Sequence, residues 1–164
     1  MINLKEVSSE LKNLIDSSQT IAVASHLNPD GDNLGSATAM IGMLNELGKK
    51  PIFVLDDLIP SSFKFLSNLS FAKNPDNIDT TFDLFIALDS SDEDRMGDRV
   101  KEIFNKSKKT VNIDHHFSNK NFADLNIVDE KSPATCEILA RIFKSLGLGL
   151  NNEIATSLFT GLST

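Results

Sequence analysis

The 164-residue chain lacks tryptophan and tyrosine altogether, and it has a single cysteine, Cys136. One cysteine excludes a disulfide within the chain, and it excludes a zinc site built from several thiolates. No apolar run is long enough for a transmembrane helix, and the first twenty residues lack the apolar centre of a signal peptide. These absences favour a soluble protein of the reducing cytoplasm, with no membrane partner.

Positive charge is scarce, since 16 Lys and Arg residues stand against 23 Asp and Glu residues and give a formal net charge of −7. A basic surface that wraps a long nucleic acid duplex is therefore not expected. A small anionic substrate is still compatible with this charge when metal ions or a few local cations hold it. The 11 phenylalanines are expected to fill the core, because their rings carry no polar group.

Strand patterns alternate with helical patterns along most of the chain. Five segments have the apolar composition of buried strands: 20–25, 51–55, 83–91, 109–114 and 125–129. Apolar residues at helical spacing lie before the first strand, between several of the others and after the last. One of these segments, 34–48, is expected to be a helix with Gly48 as its C-cap. The alternation predicts one α/β domain with a mainly parallel five-stranded sheet and helices on both faces.

Acidic residues and all three histidines lie just after predicted strands. In such sheets ligands bind beyond the carboxyl ends of the strands, so residues at those ends are the candidates for a site. The candidates are His26, Asp30 and Asp32 after the first strand, Asp89 at the end of the third, and Asp114, His115 and His116 at the end of the fourth. We expect these side chains to share one site.

The segment HLNPDGD, residues 26–32, also has the composition of an ordinary turn, because Asn-Pro and Asp-Gly both favour turns. An EF-hand calcium loop is excluded, since Asn33 and Ala39 occupy the positions that require Gly and Glu. A P-loop is excluded as well, because no Gly-Lys-Ser/Thr follows. A turn and half of a metal site are the two interpretations that remain.

The other candidates also have structural alternatives. Asp89 has the position of a loop or helix N-cap residue. His115 and His116 are expected to point to opposite faces if both lie in a strand, so that only one binds a metal. Arg95 is a candidate phosphate contact or a partner in a surface ion pair. Cys136 is expected to be a buried structural thiol.

Five of these side chains provide more ligands than one small cation takes. They suit two divalent ions bridged by a carboxylate, and Asp89, alone at its strand end, is the expected bridge. Imidazole and carboxylate without thiolate favour Mn²⁺, with Mg²⁺, Fe or Co as alternatives. The five expected metal ligands are His26, Asp30, Asp32, Asp89 and His115.

Three motifs, HLNPDGD followed by GS, then ALDSSD, then IDHH, together resemble the DHH phosphoesterase superfamily over nearly the whole chain. The segment SPATCEI and the single helix before the first strand are most similar to the nanoRNase-type bifunctional oligoribonucleases. Those enzymes also remove phosphate from 3′-phosphoadenosine 5′-phosphate. The resemblance implies a metal-dependent phosphoesterase that acts on short single-stranded oligonucleotides, on that nucleotide, or on both.

The resemblance also implies a role for each matching residue. One Mn²⁺ is expected on His26, Asp30 and Asp89, and the second on Asp32, Asp89 and His115. His116 is expected to face the substrate phosphate, with Asp114 supporting the histidines, so these two are the candidate catalytic residues. Asn28 and Arg95 are the further candidates for contacts around the phosphate.

The sequence departs from the superfamily pattern in two ways. A further metal-binding Asp is expected after a segment like LFTGLST, and here that segment ends at Thr164. The DHH-associated C-terminal domain that grips nucleic acid is also absent. We therefore expect residues 1–164 to be the catalytic domain of a longer protein, truncated after this point, with activity of its own in question and a homodimer as one assembly.

Other functions fit the same motifs. Within the superfamily the alternatives are a manganese-dependent inorganic pyrophosphatase, a RecJ-like exonuclease and a cyclic-dinucleotide phosphodiesterase. The acidic composition disfavours the exonuclease, because no basic channel for a single strand is visible. From a different class, an inactive domain that binds metal or nucleotide and serves as an interaction module is the remaining alternative.

Overall fold

A computed structural model describes residues 3–164 as alternating strands and helices. The helices are α1 (Leu4–Ser17), α2 (Gly31–Glu46), α3 (Asp98–Lys106), α4 (Thr135–Ser145) and α5 (Asn152–Ser163). The strands are β1 (Ile21–Ala24), β2 (Ile52–Val54), β3 (Ala72–Lys73), β4 (Leu84–Leu88), β5 (Lys109–Asp114) and β6 (Leu125–Val128).

All six strands pair in parallel in the order β3-β2-β1-β4-β5-β6. The predicted α/β class and parallel sheet are confirmed, but the predicted count of five strands is wrong by one. The missing strand is β3, a two-residue edge strand at Ala72–Lys73 that pairs with Phe53 and Val54. Two residues are too few to produce a recognisable strand pattern in the sequence.

Helices cover both faces of the sheet, as predicted. Ile21 and Val23 of β1 face the larger apolar cluster, which includes residues of α1, α2, α4 and α5. Ala22 and Ala24 face a smaller cluster that contains Val100 of α3. Because neighbouring strand residues point to opposite faces, both sets are buried, and this explains the continuous apolar composition of β1 and β4.

The strand order places a switch point between β1 and β4. The chain runs outward from β1 through β2 to β3, and then returns to build β4, β5 and β6 on the other side. At such a point the loops after the two central strands separate and leave a crevice at their carboxyl ends. The loop after β1 and the residue after β4 are therefore next to each other at this edge.

Helix α2 begins earlier than its apolar stripe indicates. The predicted segment starts at residue 34, whereas the helix starts at Gly31 because the Asp30 side chain caps it and accepts a hydrogen bond from the backbone N–H of Asn33. Its end agrees with the prediction, since Gly48 has φ +74° and follows the last turn. Within residues 3–164, no helix combines the length and apolar character needed to cross a membrane.

Candidate metal centre

Asp89 lies at the centre of the site, directly after β4. Its side chain is 3% exposed, and its backbone has φ +54°, in the left-handed region that non-glycine residues seldom adopt. Oδ2 lies 3.4 Å from Nε2 of His26, and Oδ1 lies 3.6 Å from Nε2 of His115. The two oxygens of one buried carboxylate thus face imidazoles from two different strand ends.

The position of Asp89 is held by the chain around it. Its backbone N–H donates to the carbonyl of Ile113, and the hydroxyl of Thr135 donates to Oδ1 at 2.9 Å. Burial alone raises the pKa of Asp89, but the hydrogen bond and positive charge from His26 and the hydrogen bond from Thr135 together lower it below its usual value. Asp89 is therefore an anion in a nearly dry position.

His26 presents one defined nitrogen to Asp89. Its Nδ1 lies 2.7 Å from the carbonyl oxygen of Leu27, so Nδ1 carries the proton and Nε2 faces the site. Burial lowers the pKa of His26, but the hydrogen bonds to Asp89 and Leu27 and the nearby negative charges outweigh it and raise the pKa. The carbonyl of His26 accepts from the side chain of Asn33, which ties the loop to α2.

The two carboxylate oxygens of Asp30 face different partners in the turn after β1. One oxygen caps α2, and the other lies 3.9 Å from Nε2 of His26. Its side chain is 64% exposed, in contrast to Asp89. The turn interpretation of this segment and the metal interpretation therefore do not exclude each other, because one oxygen caps the helix while the other faces His26.

Asp32 points across the molecule to the start of α4. Its two oxygens accept the backbone N–H groups of Thr135 at 2.7 Å and Cys136 at 2.9 Å. Oδ2 also lies 3.7 Å from Nε2 of His115. Burial and the negative charge of Asp89 raise the pKa of Asp32 to about 6, although the two N–H groups oppose the shift.

His115 and His116 lie on the same side of the sheet edge. Opposite faces are expected only if both histidines lie in a strand. That condition is not met, because β5 ends at Asp114, as predicted, and both histidines belong to the following loop. Their ring centroids are 4.6 Å apart. Nδ1 of His115 lies 3.3 Å from the carbonyl oxygen of Ser132, which leaves Nε2 toward Asp89 and Asp32.

Asp114 holds His116 and the loop that follows it. One carboxylate oxygen lies 2.7 Å from Nδ1 of His116, and the other accepts from the side-chain amide of Asn119 at 2.6 Å. Asp114 is completely buried, so both bonds form away from water. Nε2 of His116 has no hydrogen-bond partner in the described part of the chain.

Asn28 and Arg95 lie at the surface of the same edge. Asn28 has φ +57° and is tied by its backbone N–H to Asp57, while its side chain is exposed. Arg95 is exposed and its carbonyl accepts from the N–H of Leu27. Across residues 3–164 no carboxylate lies within 4 Å of the Arg95 guanidinium, because Asp92 and Glu93 are paired with lysines instead.

The donor atoms fall into two overlapping groups around Asp89. Those of His26, Asp30 and Asp89 lie within 4.8 Å of one another, and so do those of Asp89, His115 and His116. Two ligand atoms bound to one octahedral cation at about 2.1 Å stand about 3 Å apart, so small shifts bring each group to binding distance. The donor set fits two small divalent cations that share Asp89.

A family model described as "DHH family, N-terminal domain" matches residues 20–162. The chain belongs to the DHH family. This DHH domain is 33% identical over 144 residues to the bifunctional oligoribonuclease and PAP phosphatase NrnA of Thermus thermophilus, a match covering 88% of the chain and 42% of that protein. The NrnA of Bacillus subtilis is 28% identical, with 94% and 48% covered.

Solved structures share the fold of the DHH domain. An exopolyphosphatase-related protein from Bacteroides fragilis superposes with a TM-score of 0.88 at 19% identity, over 96% of this chain and 49% of the other. An exonuclease RecJ bound to manganese gives 0.58 at 18% identity, over 99% and 43%. The chain spans about half the length of the curated relatives it matches.

Three residues that hold the candidate ligands in this DHH domain are not identified by the sequence motifs. Thr135 donates to Asp89 and Asp32, Ser132 accepts from His115, and Asn119 donates to Asp114. Thr135 and Ser132 lie in or beside the segment SPATCEI, which is used only to recognise the family. The available signal for Ser132 and Thr135 is that both follow the fifth predicted strand, so they lie at the same edge of the sheet as the candidate ligands.

Proposed function

We propose that this DHH domain hydrolyses phosphoesters of short single-stranded RNA or DNA, or of small nucleotides such as 3′-phosphoadenosine 5′-phosphate, with two divalent cations bound around Asp89. The observation that carries the proposal is the pair of distances at that carboxylate, 3.4 Å to His26 on one oxygen and 3.6 Å to His115 on the other. A carboxylate with a ligand set on each oxygen is the arrangement of a two-metal bridge.

The remaining donors divide between the two positions. Asp30 completes the group on the His26 side, where its free oxygen faces Nε2. On the other side His116 and Asp32 compete for the third place. Nδ1 of His116 is already bound to Asp114, whereas Oδ2 of Asp32 lies 3.7 Å from Nε2 of His115, so Asp32 is the proposed ligand. Mn²⁺ is the proposed ion because the donors are imidazole and carboxylate.

Paired divalent ions supply charge neutralisation at a phosphoryl group and lower the pKa of water. The protein supplies the orientation. Asp114 accepts from Nδ1 of His116 and so fixes the ring with Nε2 outward. We assign His116 to contact with a phosphoryl oxygen, since its side chain is 34% exposed beside the buried Asp89. Asp114, which is fully buried, acts only by holding that imidazole.

The substrate class is supported by the names of the relatives. Two relatives named NrnA are bifunctional oligoribonucleases and PAP phosphatases. Each match covers most of this chain but less than half of the relative. The exposed Arg95, without a carboxylate partner in residues 3–164, is a proposed phosphate contact together with Asn28. We further propose that residues 1–164 form the catalytic domain of a two-domain protein, in which a second domain adds grip on the substrate.

The two-ion centre is tested by the substitution Asp89→Asn, which keeps the shape of the side chain and removes its charge. We expect the wild-type chain to bind two Mn²⁺ per molecule and the variant to bind almost none, by metal analysis after equilibrium dialysis. Asp16→Asn is the control, because Asp16 is an exposed carboxylate that pairs with Lys12 on α1, away from the candidate ligands. A variant that keeps one or both ions at full affinity contradicts the bridging role.

Substrate class is tested by product analysis with Mn²⁺ present. We expect mononucleotides from two- to five-residue RNA, or phosphate from 3′-phosphoadenosine 5′-phosphate, at a rate that Asp89→Asn lowers at least a thousandfold. Release of phosphate only from pyrophosphate points to a pyrophosphatase instead. The same assay on a form extended beyond Thr164 tests the two-domain proposal, and inactivity of both forms on every phosphoester contradicts the enzymatic function.

A further inference from the structure

Two large apolar side chains are the most exposed of their kind within residues 3–164. Phe117 is 86% exposed and Leu58 is 85% exposed. Both belong to loops that follow strands at the edge of the sheet where the candidate ligands lie, Leu58 after β2 and Phe117 after β5. Single exposed apolar residues are common on proteins, so the exposure matters here only because of its position.

Phe117 directly follows His116, the residue assigned to the substrate phosphate. Its Cα is therefore about 3.8 Å from that of His116. The imidazoles of His115 and His116 are tilted against each other at 4.6 Å, and Phe117 is the next ring in the chain. An aromatic side chain thus follows, one residue later in the chain, the histidine that we propose faces the substrate phosphate.

The loop that carries Phe117 is fixed in place. The N–H of Asn119 donates to the carbonyl of His116, and the Asn119 side-chain amide bonds to Asp114, to Asn112 and to the carbonyl of Ser90. The N–H of Lys120 donates to the carbonyl of Ser91. The backbone is thus anchored on both sides of Phe117, and the ring of Phe117 is exposed to solvent.

The chemistry of the ring selects the ligand. A phenyl side chain offers a flat apolar face and no hydrogen-bond donor, so it does not bind phosphate or a metal ion. Nucleobases stack on such faces, and the preference is tolerant of sequence because every base has a π face. Leu58 is equally exposed but has no π face, so Phe117 is the candidate.

We propose that Phe117 is a nucleobase-binding residue that stacks the base of the nucleotide whose phosphate lies at His116. The proposal rests on the proposed function and narrows it, since it favours nucleotides over substrates without a base, such as pyrophosphate. It adds a specificity determinant outside the metal centre.

The absence of tryptophan and tyrosine provides a direct test. The variant Phe117→Trp contains one indole, whose fluorescence reports on a base stacked against it. We expect saturable quenching when adenosine 5′-monophosphate is added in the presence of Mg²⁺, and none with ribose 5-phosphate, which has the phosphate but no base. Phe159→Trp is the matched control, because Phe159 is also an exposed phenylalanine, 70% exposed, on α5.

A lack of quenching in Phe117→Trp overturns the proposal, and so does equal quenching in Phe159→Trp. Kinetics provide the second readout. We expect Phe117→Ala to raise the KM for diadenylate about tenfold, the factor that corresponds to about 1.4 kcal/mol from a stacked base, with kcat within twofold. Phe117→Tyr is expected to restore the KM, since it keeps a π face.

The two proposals fail in different ways. If diadenylate is hydrolysed but Phe117→Ala has the wild-type KM, the proposed function is supported and the stacking role is wrong. If no variant hydrolyses any phosphoester but Phe117→Trp is still quenched by the nucleotide alone, base binding is supported and the hydrolytic function is wrong.

Discussion

Thr135, which is not predicted as a site residue, connects the candidate ligands Asp32 and Asp89. The backbone N–H of Thr135 donates to Asp32, and its hydroxyl donates to Asp89. Thr135 is completely buried at the first position of α4, so neither bond competes with water. It therefore fixes the two carboxylates relative to each other, as the outer partners of metal ligands do in characterised sites.

Replacing Thr135 with Val removes only the hydroxyl, since the backbone N–H to Asp32 remains. We expect the affinity for Mn²⁺ to fall about tenfold, because Asp89 then lacks the donor that orients Oδ1. Isothermal titration with Mn²⁺ measures the change. Thr135→Ser keeps a hydroxyl and is expected to bind within twofold of wild type, and equal affinities for Val and Ser contradict the positioning role.

At the scale of elements, helices α2 and α5 pack with their backbones in close contact next to Asp32. A Cβ built on Gly35 of α2 lies 2.6 Å from the carbonyl oxygen of Ser157 and 3.0 Å from the backbone nitrogen of Gly161, both on α5. A Cβ built on Gly161 would lie only 2.8 Å from Oδ1 of Asp32, so a larger residue does not fit at that position either. Contacts with backbone cannot be relieved by moving a side chain.

The substitution Gly35→Ala tests this contact. We expect a loss of about 2 kcal/mol in the free energy of unfolding, since overpacking costs about 1–3 kcal/mol and exceeds the helix propensity gained by alanine. Urea denaturation measures it. Gly149→Ala is the control, because nothing lies within 4 Å of a Cβ there, and it should change stability by less than about 0.5 kcal/mol. Equal effects of the two substitutions contradict the close packing.

Asp83 joins three elements at the opposite edge of the sheet. Its carboxylate accepts from Lys108 before β5 and from the backbone N–H groups of Gln19 and Thr20 between α1 and β1. The hydrogen bond from Lys108 and those from the backbone lower the pKa of Asp83 well below its usual value. A depressed pKa means that the group stabilises the fold only when it is ionised.

We therefore expect Asp83→Asn to lower the urea midpoint at pH 7. The pKa of this carboxyl is about 4 in the unfolded chain and lower in the folded chain. As the pH falls from about 4 through the folded pKa, wild-type Asp83 becomes protonated and loses its charge, so the difference in midpoint between wild type and variant should shrink. Asp16→Asn, which affects one exposed pair on α1, should change the midpoint little. A difference that is constant from pH 7 to pH 2.5 contradicts the prediction.

At the scale of the whole molecule, charge sets the conditions for binding nucleic acid. The net charge is −7, and the candidate site itself adds buried or half-buried carboxylates. Without cations the site repels phosphate. We expect divalent ions to be required for binding, in contrast to proteins that bind through basic surfaces and release counterions.

This requirement can be tested with a fluorescein-labelled pentanucleotide in EDTA at 0.15 M salt. We expect its fluorescence anisotropy to stay constant when the protein is added. Addition of millimolar Mg²⁺ should produce saturable binding, because the ions bridge the carboxylates and the phosphate. Tight binding in EDTA contradicts the role assigned to the metal centre, and it points to a basic surface that the charge distribution does not indicate.

The sequence alone determined the fold class and the places where candidate ligands stand. Buried parallel strands have continuous apolar composition, and their carboxyl ends meet at one edge, so the pattern is local and readable for β1, β4 and β5. The two-residue β3 leaves no such pattern. The early start of α2 depends on the side chain of Asp30, which also belongs to the candidate site.

Only the tertiary structure decided how the candidate ligands are held. Asp32 caps the start of α4, 103 residues away in the chain, and the hydroxyl of Thr135 donates to Asp89, 46 residues away. The orientation of His115 depends on the carbonyl of Ser132, 17 residues further along the chain. Each of these contacts joins segments distant in sequence, and residue spacing contains information only about neighbours along the chain.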